Sequence, residues 1–246
     1  MEVLKDFPAC CREGGRIMAK DMDIIRMDDE FNNDASRVYI KSYMFIKGYA
    51  VAKELNQTLL ALSIARRLHE GQFRRDKTPY IYHPLKVCST LISYGIDDDV
   101  TLAAALLHDV LEDCMDKLPM GAEGLMIQYN LSEEVIDIIM LLTKKSGLDD
   151  HDLSVYFSKI EKNPKAALIK LSDRLHNSAT LYNLPLDKIR KYIRETSMFL
   201  IPMASYCKKY YPEYGNAFSI LKSNIHSLNN CMSIMMDKIE EAAGKE

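Results

Sequence analysis

Apolar residues recur at spacings of three and four along most of this chain, which is the pattern of amphipathic helices. The pattern becomes regular over residues 36–54 and resumes after Asn56, which could cap a second helix that ends near Gly71 or Phe73. No segment shows the apolar–polar alternation of a half-buried strand. The chain is therefore predicted to be all-α.

Start signals predict further helices along the chain. His83-Pro84 puts a proline at the first helical position. Ser132 and Asn163-Pro164 open two more helices, the first with acidic residues in its opening turn. Residues 97–113, DDDVTLAAALLHDVLED, are predicted to form one buried helix with an acidic entry.

The C-terminal stretch has the most regular pattern. Apolar residues follow alternating spacings of three and four over residues 218–239, which makes a seam of more than three heptads. Two interpretations stay open: this helix packs on its own domain, or it pairs with a partner such as a second copy of the chain. Three parts are predicted: a loosely structured extension (1–35), a helical domain (36–205) and a C-terminal helical segment (206–246).

Composition supports a helical globular protein. Glycine and proline together make only 18 of 246 residues, and 48% of the residues are hydrophobic. The net charge of −3 argues against a protein held on DNA by bulk charge. The longest apolar run, residues 102–107, is far shorter than the roughly 20 residues of a membrane span. The six cysteines form no C-x-x-C pair and no export signal is visible, so we expect a cytoplasmic protein with reduced thiols.

Three polar islands interrupt otherwise apolar segments: YIYHP (80–84), LLHDVLED (106–113) and KLSDRLHN (170–177). Charged groups in such surroundings are costly unless they are paired or bind a metal. In the middle island, one helical turn separates His108 from Glu112 and Asp109 from Asp113. The three carboxylates would repel one another, and a divalent cation would relieve that repulsion.

A metal needs more ligands than one helix offers. His83 and Asp173, from the other two islands, complete a set of two imidazoles and two carboxylates with His108 and Asp109. Such a mixed set suits Mn²⁺ or Fe²⁺ better than a closed structural zinc site. The remaining acids of the middle island could orient and deprotonate a water molecule or protonate a leaving group; these candidate catalytic residues are Glu112 and Asp113.

The ordered His…His-Asp…Asp pattern resembles that of the HD-domain phosphohydrolases. The blocks GQFRRDKTPYIYHPLKV, LAAALLHDVLED, LLTK and LIKLSDRLHN, followed by RET, are similar to the hydrolase domain of RelA/SpoT-type alarmone enzymes. The resemblance runs from about Leu60 to Pro202. A helical HD-domain bundle with an extra C-terminal segment is the fold it implies, and a stand-alone small alarmone hydrolase is the nearest subtype.

That resemblance implies Mn²⁺-dependent removal of the 3′-pyrophosphate from ppGpp or pppGpp, which gives GDP or GTP and pyrophosphate. By position it also implies a metal held by His83, His108, Asp109 and Asp173, and water handled by Glu112 and Asp113. It further implies four substrate-binding residues: Arg74, Arg75, Asn177 and Thr180. Fe²⁺ or another divalent ion remains an alternative to Mn²⁺.

The charge pattern agrees with a polyanionic nucleotide substrate. Residues 66–77 carry five basic and two acidic side chains on an otherwise acidic protein. The chain departs from the family pattern at Lys77, where glycine is usual, at Ala179, where arginine is common, and at Ser172, where alanine is usual.

Two other functions stay open. The same metal site could act on another phosphorylated nucleotide, such as an adenine alarmone or the 2′-phosphate of NADPH. Alternatively, the chain could be a non-catalytic regulator that binds alarmone. In either case we expect a small-molecule ligand, neither DNA nor a membrane as partner, and possible homo-oligomers through the 218–239 seam.

Overall fold

The computed structural model describes residues 34–144 and 147–243, and most of them lie in helices. Between these described residues there is no strand, only one isolated bridge between Phe73 and Pro79. The all-α prediction is therefore confirmed, whereas the predicted N-terminal extension lies almost wholly outside the described residues. The helices are α1 (Asp34–Ala52), α2 (Asn56–Leu68), α3 (Tyr82–Ser93), α4 (Asp99–Leu107), α5 (Val110–Asp113), α6 (Gly121–Tyr129), α7 (Glu133–Leu142), α8 (Asp150–Ile160), α9 (Pro164–Ser178), α10 (Leu186–Glu195), α11 (Ile201–Tyr210) and α12 (Gly215–Ala243).

Helix α4 forms the centre of the domain. Every residue from Thr101 to Leu107 is completely buried. The helix contacts α2, α3, α7 and α9, so no face of it is left for solvent. A helix that is apolar all round belongs in such a position.

Two acidic residues at the start of α4 hold the starts of two helices. The Asp98 side chain accepts a hydrogen bond from Thr101 N at 2.8 Å and caps α4 itself. The Asp99 carboxylate accepts from Gln57 N at 2.9 Å and from Thr58 N at 2.7 Å, at the start of α2. The sequence suggested Asn56 as the cap of α2, and this prediction is wrong. The start of α2 is held instead by Asp99, which lies 41 residues after Thr58 in the chain.

Other helix starts follow the sequence closely. Ser132 caps α7, and Asn163 caps α9 with Pro164 as the first helical residue. Helix α9 packs on α3, where the Ser172 hydroxyl donates to the carbonyl of Val87 at 3.1 Å. The buried hydroxyl of Ser172 therefore has a hydrogen-bond partner.

The C-terminal helix α12 packs on the domain along one face that reaches from Phe218 to Met236. Phe218, Leu221 and Ile225 are buried against the domain, and the helix contacts α9, α10 and α11. Further along, Met235 and Ile239 are about half exposed although the heptad pattern placed them in the same seam. A straight helix turns every 3.6 residues rather than 3.5, so a strict heptad seam drifts off the packed face. None of the helices in the described segments is both long and apolar enough to cross a bilayer.

Candidate active site

The predicted metal ligands come from three separate places in the fold. His83 lies in the first turn of α3, His108 and Asp109 lie at the junction of α4 and α5, and Asp173 lies in the middle of α9. Because α3, α4 and α9 pack against one another, their side chains meet at one point. His83, His108 and Asp173 are buried, and the Asp109 side chain is 18% exposed.

The predicted single helix over residues 97–113 is wrong, since the chain turns at His108 and Asp109 between α4 and α5. The carbonyl of Ala105, which would serve the Asp109 N–H in a continuous helix, accepts a hydrogen bond from His108 Nδ1 at 2.8 Å. Neighbouring side chains on a straight helix point about 100° apart. The turn brings these two to the same point, with His108 Nε2 and Asp109 Oδ1 3.2 Å apart.

His83, His108 and Asp173 each offer one ligand atom within 4.8 Å of the others, as ligands of one ion do, and the Asp109 carboxylate lies beside them. His83 Nε2 lies 3.2 Å from His108 Nε2, 3.3 Å from Asp109 Oδ2 and 3.2 Å from Asp173 Oδ1. Across the cluster, His108 Nε2 and Asp173 Oδ1 are 3.9 Å apart. Bonds of about 2.0–2.2 Å from a central ion to nitrogen and oxygen ligands produce separations of this size.

The chemistry of the donors fits a cation. His108 Nδ1 must carry the proton it donates to the Ala105 carbonyl, so the Nε2 atom of the neutral ring presents a lone pair to the cluster. Burial disfavours a charged His83, yet Asp109 and Asp173 outweigh it and raise the pKa of His83 to about 9. Burial likewise opposes ionisation of Asp173, but Lys170, His83 and His108 hold its pKa well below the usual range. The site thus demands positive charge between two ionised carboxylates, which a divalent ion supplies.

The two candidate catalytic acids are held differently beside this centre. Glu112 Oε1 accepts a hydrogen bond from Lys144 N at 2.5 Å, and desolvation around its carboxyl group raises the pKa of Glu112 although much of the side chain is exposed. The Asp113 carboxylate lies 2.6 Å from the Tyr80 hydroxyl, which is also 2.7 Å from Asp109 Oδ2. Tyr80 therefore bridges a candidate metal ligand and a candidate catalytic acid.

The predicted substrate residues meet on one side of the centre. The Arg74 guanidinium donates to Asn177 Oδ1 at 3.0 Å and to Thr180 Oγ1 at 3.3 Å, across more than a hundred residues of sequence. Arg75 lines the same cleft. The Asn177 amide also donates to Asp173 Oδ1 at 2.5 Å, so this side of the cleft is tied to the metal centre.

The loop that carries the arginines is a tight turn. Arg74 N donates to Thr78 O at 2.8 Å and Lys77 N donates to Arg74 O at 2.9 Å, while Lys77 adopts the left-handed conformation with φ 65°. Glycine takes this conformation without strain, whereas a residue with a side chain does not. Lys77 nevertheless forms the turn and adds a positive side chain to it.

The opposite side of the cleft carries four lysines among its acidic residues. Lys144, Lys170, Lys188 and Lys191 line it together with Glu112 and Asp113. Behind them, the buried Arg174 guanidinium forms an ion pair with Glu195 and lies 3.7 Å from the centre of the Tyr192 ring. Glu195 also pairs with Lys144 at 2.9 Å, so a buried network supports the wall next to Glu112.

Three contributors were not assigned a functional role from the sequence. Tyr80 bridges the two aspartates, Lys170 pairs with Asp173 Oδ2 at 3.2 Å, and His176 lies with its Nδ1 atom 2.7 Å from His83 Nδ1. His176 follows Asp173 by three residues and so lies on the same face of α9. Burial and the charges of His83 and Arg74 lower the pKa of His176 to about 3.

Comparison with known proteins bears on the same region. Residues 61–205 match the protein family described as HD domain. Over 147 residues the chain is 37% identical to a Haemophilus influenzae protein named guanosine-3′,5′-bis(diphosphate) 3′-pyrophosphohydrolase, a stretch that covers 57% of this chain and 21% of that protein.

Two further relatives match over a similar stretch, one with the same name and one with a different name. A Borreliella burgdorferi protein with the same name is 33% identical over 152 residues, covering 58% of this chain and 22% of the relative. A Mycobacterium leprae protein named probable GTP pyrophosphokinase is 33% identical over 150 residues, covering 58% of this chain and 18% of the relative. The chain thus spans about a fifth of the length of these relatives.

Proposed function

Because the chain belongs to the HD-domain family, we propose that it hydrolyses the 3′-pyrophosphate of guanosine tetra- or pentaphosphate. The products are GDP or GTP and pyrophosphate, and Mn²⁺ is the proposed cofactor, with Fe²⁺ as the alternative. The names of the Haemophilus and Borreliella relatives support the substrate. The donor set of two imidazoles and two carboxylates supports the metal.

One observation carries this proposal: His83, His108 and Asp173 converge, with Asp109 3.2–3.3 Å from the two imidazoles, in a cleft that carries arginines on one side and lysines on the other. A nucleotide with phosphates at both ends of its ribose needs cations on either side of the bond that breaks. Arg74 and Arg75 provide them on one side, and the lysines beside Glu112 provide them on the other.

The protein side chains divide the work of the reaction. His83, His108, Asp109 and Asp173 would hold the divalent cation, which supplies positive charge and Lewis acidity at the phosphoryl group under attack. Glu112, with its raised pKa, accepts the proton of the attacking water at its carboxylate. Asp113, fixed by the Tyr80 hydroxyl, orients that water.

Substrate binding follows from the contacts around Arg74. Its guanidinium is already oriented by Asn177 and Thr180, so little side-chain freedom is lost when it grips a phosphate. Arg75 is exposed on the same turn and free to reach a second phosphate or the base.

The test is turnover of ppGpp by the purified protein with Mn²⁺, with pyrophosphate release measured and GDP identified by chromatography. Asp109→Ala should remove metal binding and activity together, whereas Glu112→Gln should keep the metal and lose most turnover. Glu123→Gln, an exposed acid outside the cleft, is the matched control and should behave as wild type. Full metal-dependent activity of Asp109→Ala would refute the site.

The same assay separates substrates. An adenine alarmone and NADPH are offered at equal concentration, and a preference for either would replace the guanosine substrate while leaving the metal site intact. Absence of turnover on every nucleotide, with alarmone binding retained, would favour a regulator.

Location and assembly complete the proposal. The cytoplasm is the proposed location, because the described cysteines Cys88, Cys114, Cys207 and Cys231 are all unpaired thiols.

A homo-oligomer through residues 218–239 stays a prediction, with Met235 and Ile239 of α12 as exposed candidates for the contact. Analytical ultracentrifugation of wild type and of Met235→Glu tests it: a lower mass for the variant supports the contact, and a monomeric wild type excludes it.

A further inference from the structure

The imidazole of His176 lies behind His83, on the side away from the other candidate ligands. The two Nδ1 atoms are 2.7 Å apart, and the ring centres are 4.9 Å apart. His83 is almost completely buried, with 1% of its surface exposed. His176 is therefore the group that meets the second nitrogen of His83.

At this distance one proton lies between His83 Nδ1 and His176 Nδ1. Which ring carries that proton depends on what His83 Nε2 binds. His83 Nε2 faces Asp109, Asp173 and His108, so it must present a lone pair if it binds a cation. The proton of the neutral His83 ring then sits on Nδ1 and must be donated. His176 Nδ1 is the acceptor within reach.

The surroundings of His176 hold its ring against His83. The Tyr82 ring meets the His176 ring edge-on at 5.9 Å, and the Lys86 ammonium lies over the Tyr82 ring at 5.8 Å. This packing keeps His176 Nδ1 2.7 Å from His83 Nδ1.

We propose that His176 is a positioning residue that fixes the proton of His83 on Nδ1 and so keeps His83 Nε2 available to the cation. The inference rests on the metal site of the proposed function but not on the identity of the nucleotide. It also explains an asymmetry between the two imidazole ligands. His108 is oriented by a backbone carbonyl, which can only accept, whereas His83 depends on a side chain that can be replaced.

Partners of this kind typically change metal affinity or activity by about 10–100-fold when they are removed. The experiment measures Mn²⁺ binding to the metal-free protein by isothermal titration calorimetry, without nucleotide. His176→Leu removes the acceptor and should weaken Mn²⁺ binding by about tenfold or more. His176→Asn, whose Oδ1 atom stands near the position of Nδ1, should bind within about threefold of wild type.

His226→Leu is the matched control, because His226 is exposed on α12 and contacts only Asn230 among the hydrogen bonds described. It should bind Mn²⁺ as wild type does. Equal affinity of His176→Leu and wild type would overturn the proposal, and so would a His176→Asn variant as weak as His176→Leu.

A spectroscopic test covers the case in which His176→Leu does not fold. In ¹⁵N spectra of the wild-type protein loaded with diamagnetic Zn²⁺, His83 should show a protonated Nδ1 and a metal-bound Nε2. The opposite assignment would overturn the role of His176. Failure of wild type to bind any divalent ion would refute the metal site itself, whereas Mn²⁺ binding without ppGpp turnover would refute only the guanosine substrate.

Discussion

Breaking the buried ion pair between Arg174 and Glu195 should destabilise the fold more than breaking an ion pair on the surface of the same helices. The two side chains are only 5% and 10% exposed, and the guanidinium also donates to Thr196 Oγ1 at 3.3 Å. Glu195→Gln keeps the shape of the partner and removes its charge. The guanidinium then remains buried against Tyr192 without the carboxylate that neutralises it.

The expected magnitude follows from this burial. Removing one partner of a buried pair costs about 3–5 kcal/mol, because the other charge stays in the interior uncompensated. At about 2–4 °C per kcal/mol for a chain of this size, the melting temperature should fall by roughly 6–20 °C. Loss of the Glu195 charge also leaves Lys144 without its 2.9 Å partner, which adds to the effect.

A surface pair on the same helix provides the matched control. Arg194 precedes Glu195 and pairs with Asp150, but these side chains are 60% and 52% exposed. Asp150→Asn makes the same acid-to-amide change and should cost about 0–1 kcal/mol. Urea and thermal unfolding at pH 7 measure both variants. If Glu195→Gln were no less stable than Asp150→Asn, the buried network would not support the cleft wall as described.

Three further predictions concern the cleft and its surroundings. Lys77→Gly should raise the free energy of unfolding in urea by about 0.5–1 kcal/mol relative to Lys77→Ala, because only glycine relieves the left-handed φ of 65°; a less stable glycine variant would contradict this. Tyr80→Phe should lower kcat by about tenfold or more at saturating Mn²⁺, because Asp113 loses its fixed partner, while Tyr82→Phe, which keeps its ring, should change kcat little. Burial lowers the pKa of His69 below 6.5, so as the pH falls the unfolded chain takes up a proton there before the folded chain does. The free energy of unfolding should therefore fall as the pH drops below about 6.5, by at most about 1.4 kcal/mol per pH unit from this group. His69→Gln should show a flatter dependence of the free energy of unfolding on pH in urea titrations at about pH 5–8.

Most helix starts and the candidate ligand residues could be predicted from the sequence. Caps such as Ser132 and Asn163-Pro164 act within one turn, so the sequence reveals them directly. The ligand residues stood out because acids and histidines are costly in apolar helices unless they serve a purpose. The meeting of Arg74 with Asn177 rested on family resemblance, since nothing local links residues a hundred positions apart.

The features that the sequence did not predict come from hydrogen bonds between side chains and the backbone and from helix geometry. The turn at His108 arises because an imidazole takes up a backbone carbonyl, which periodicity does not register. The cap of α2 comes from Asp99 rather than from Asn56 for the same kind of reason. In α12, Phe218 and Met236 lie on the packed face 18 residues apart, which is five turns of 3.6 residues, so the true buried stripe leaves the heptad seam.

The complete enclosure of α4 has a consequence for comparative analysis of this family. Residues 102–107 touch neighbours on all sides, so almost any replacement there would leave a void or a clash. Selection on folding alone would therefore preserve this stretch as strictly as selection on chemistry preserves His108. In a sequence alignment, the residues of this buried helix and the candidate ligands would therefore look equally conserved. Ligand-binding measurements on individual variants would be needed to separate residues that support the fold from residues that bind the ligand.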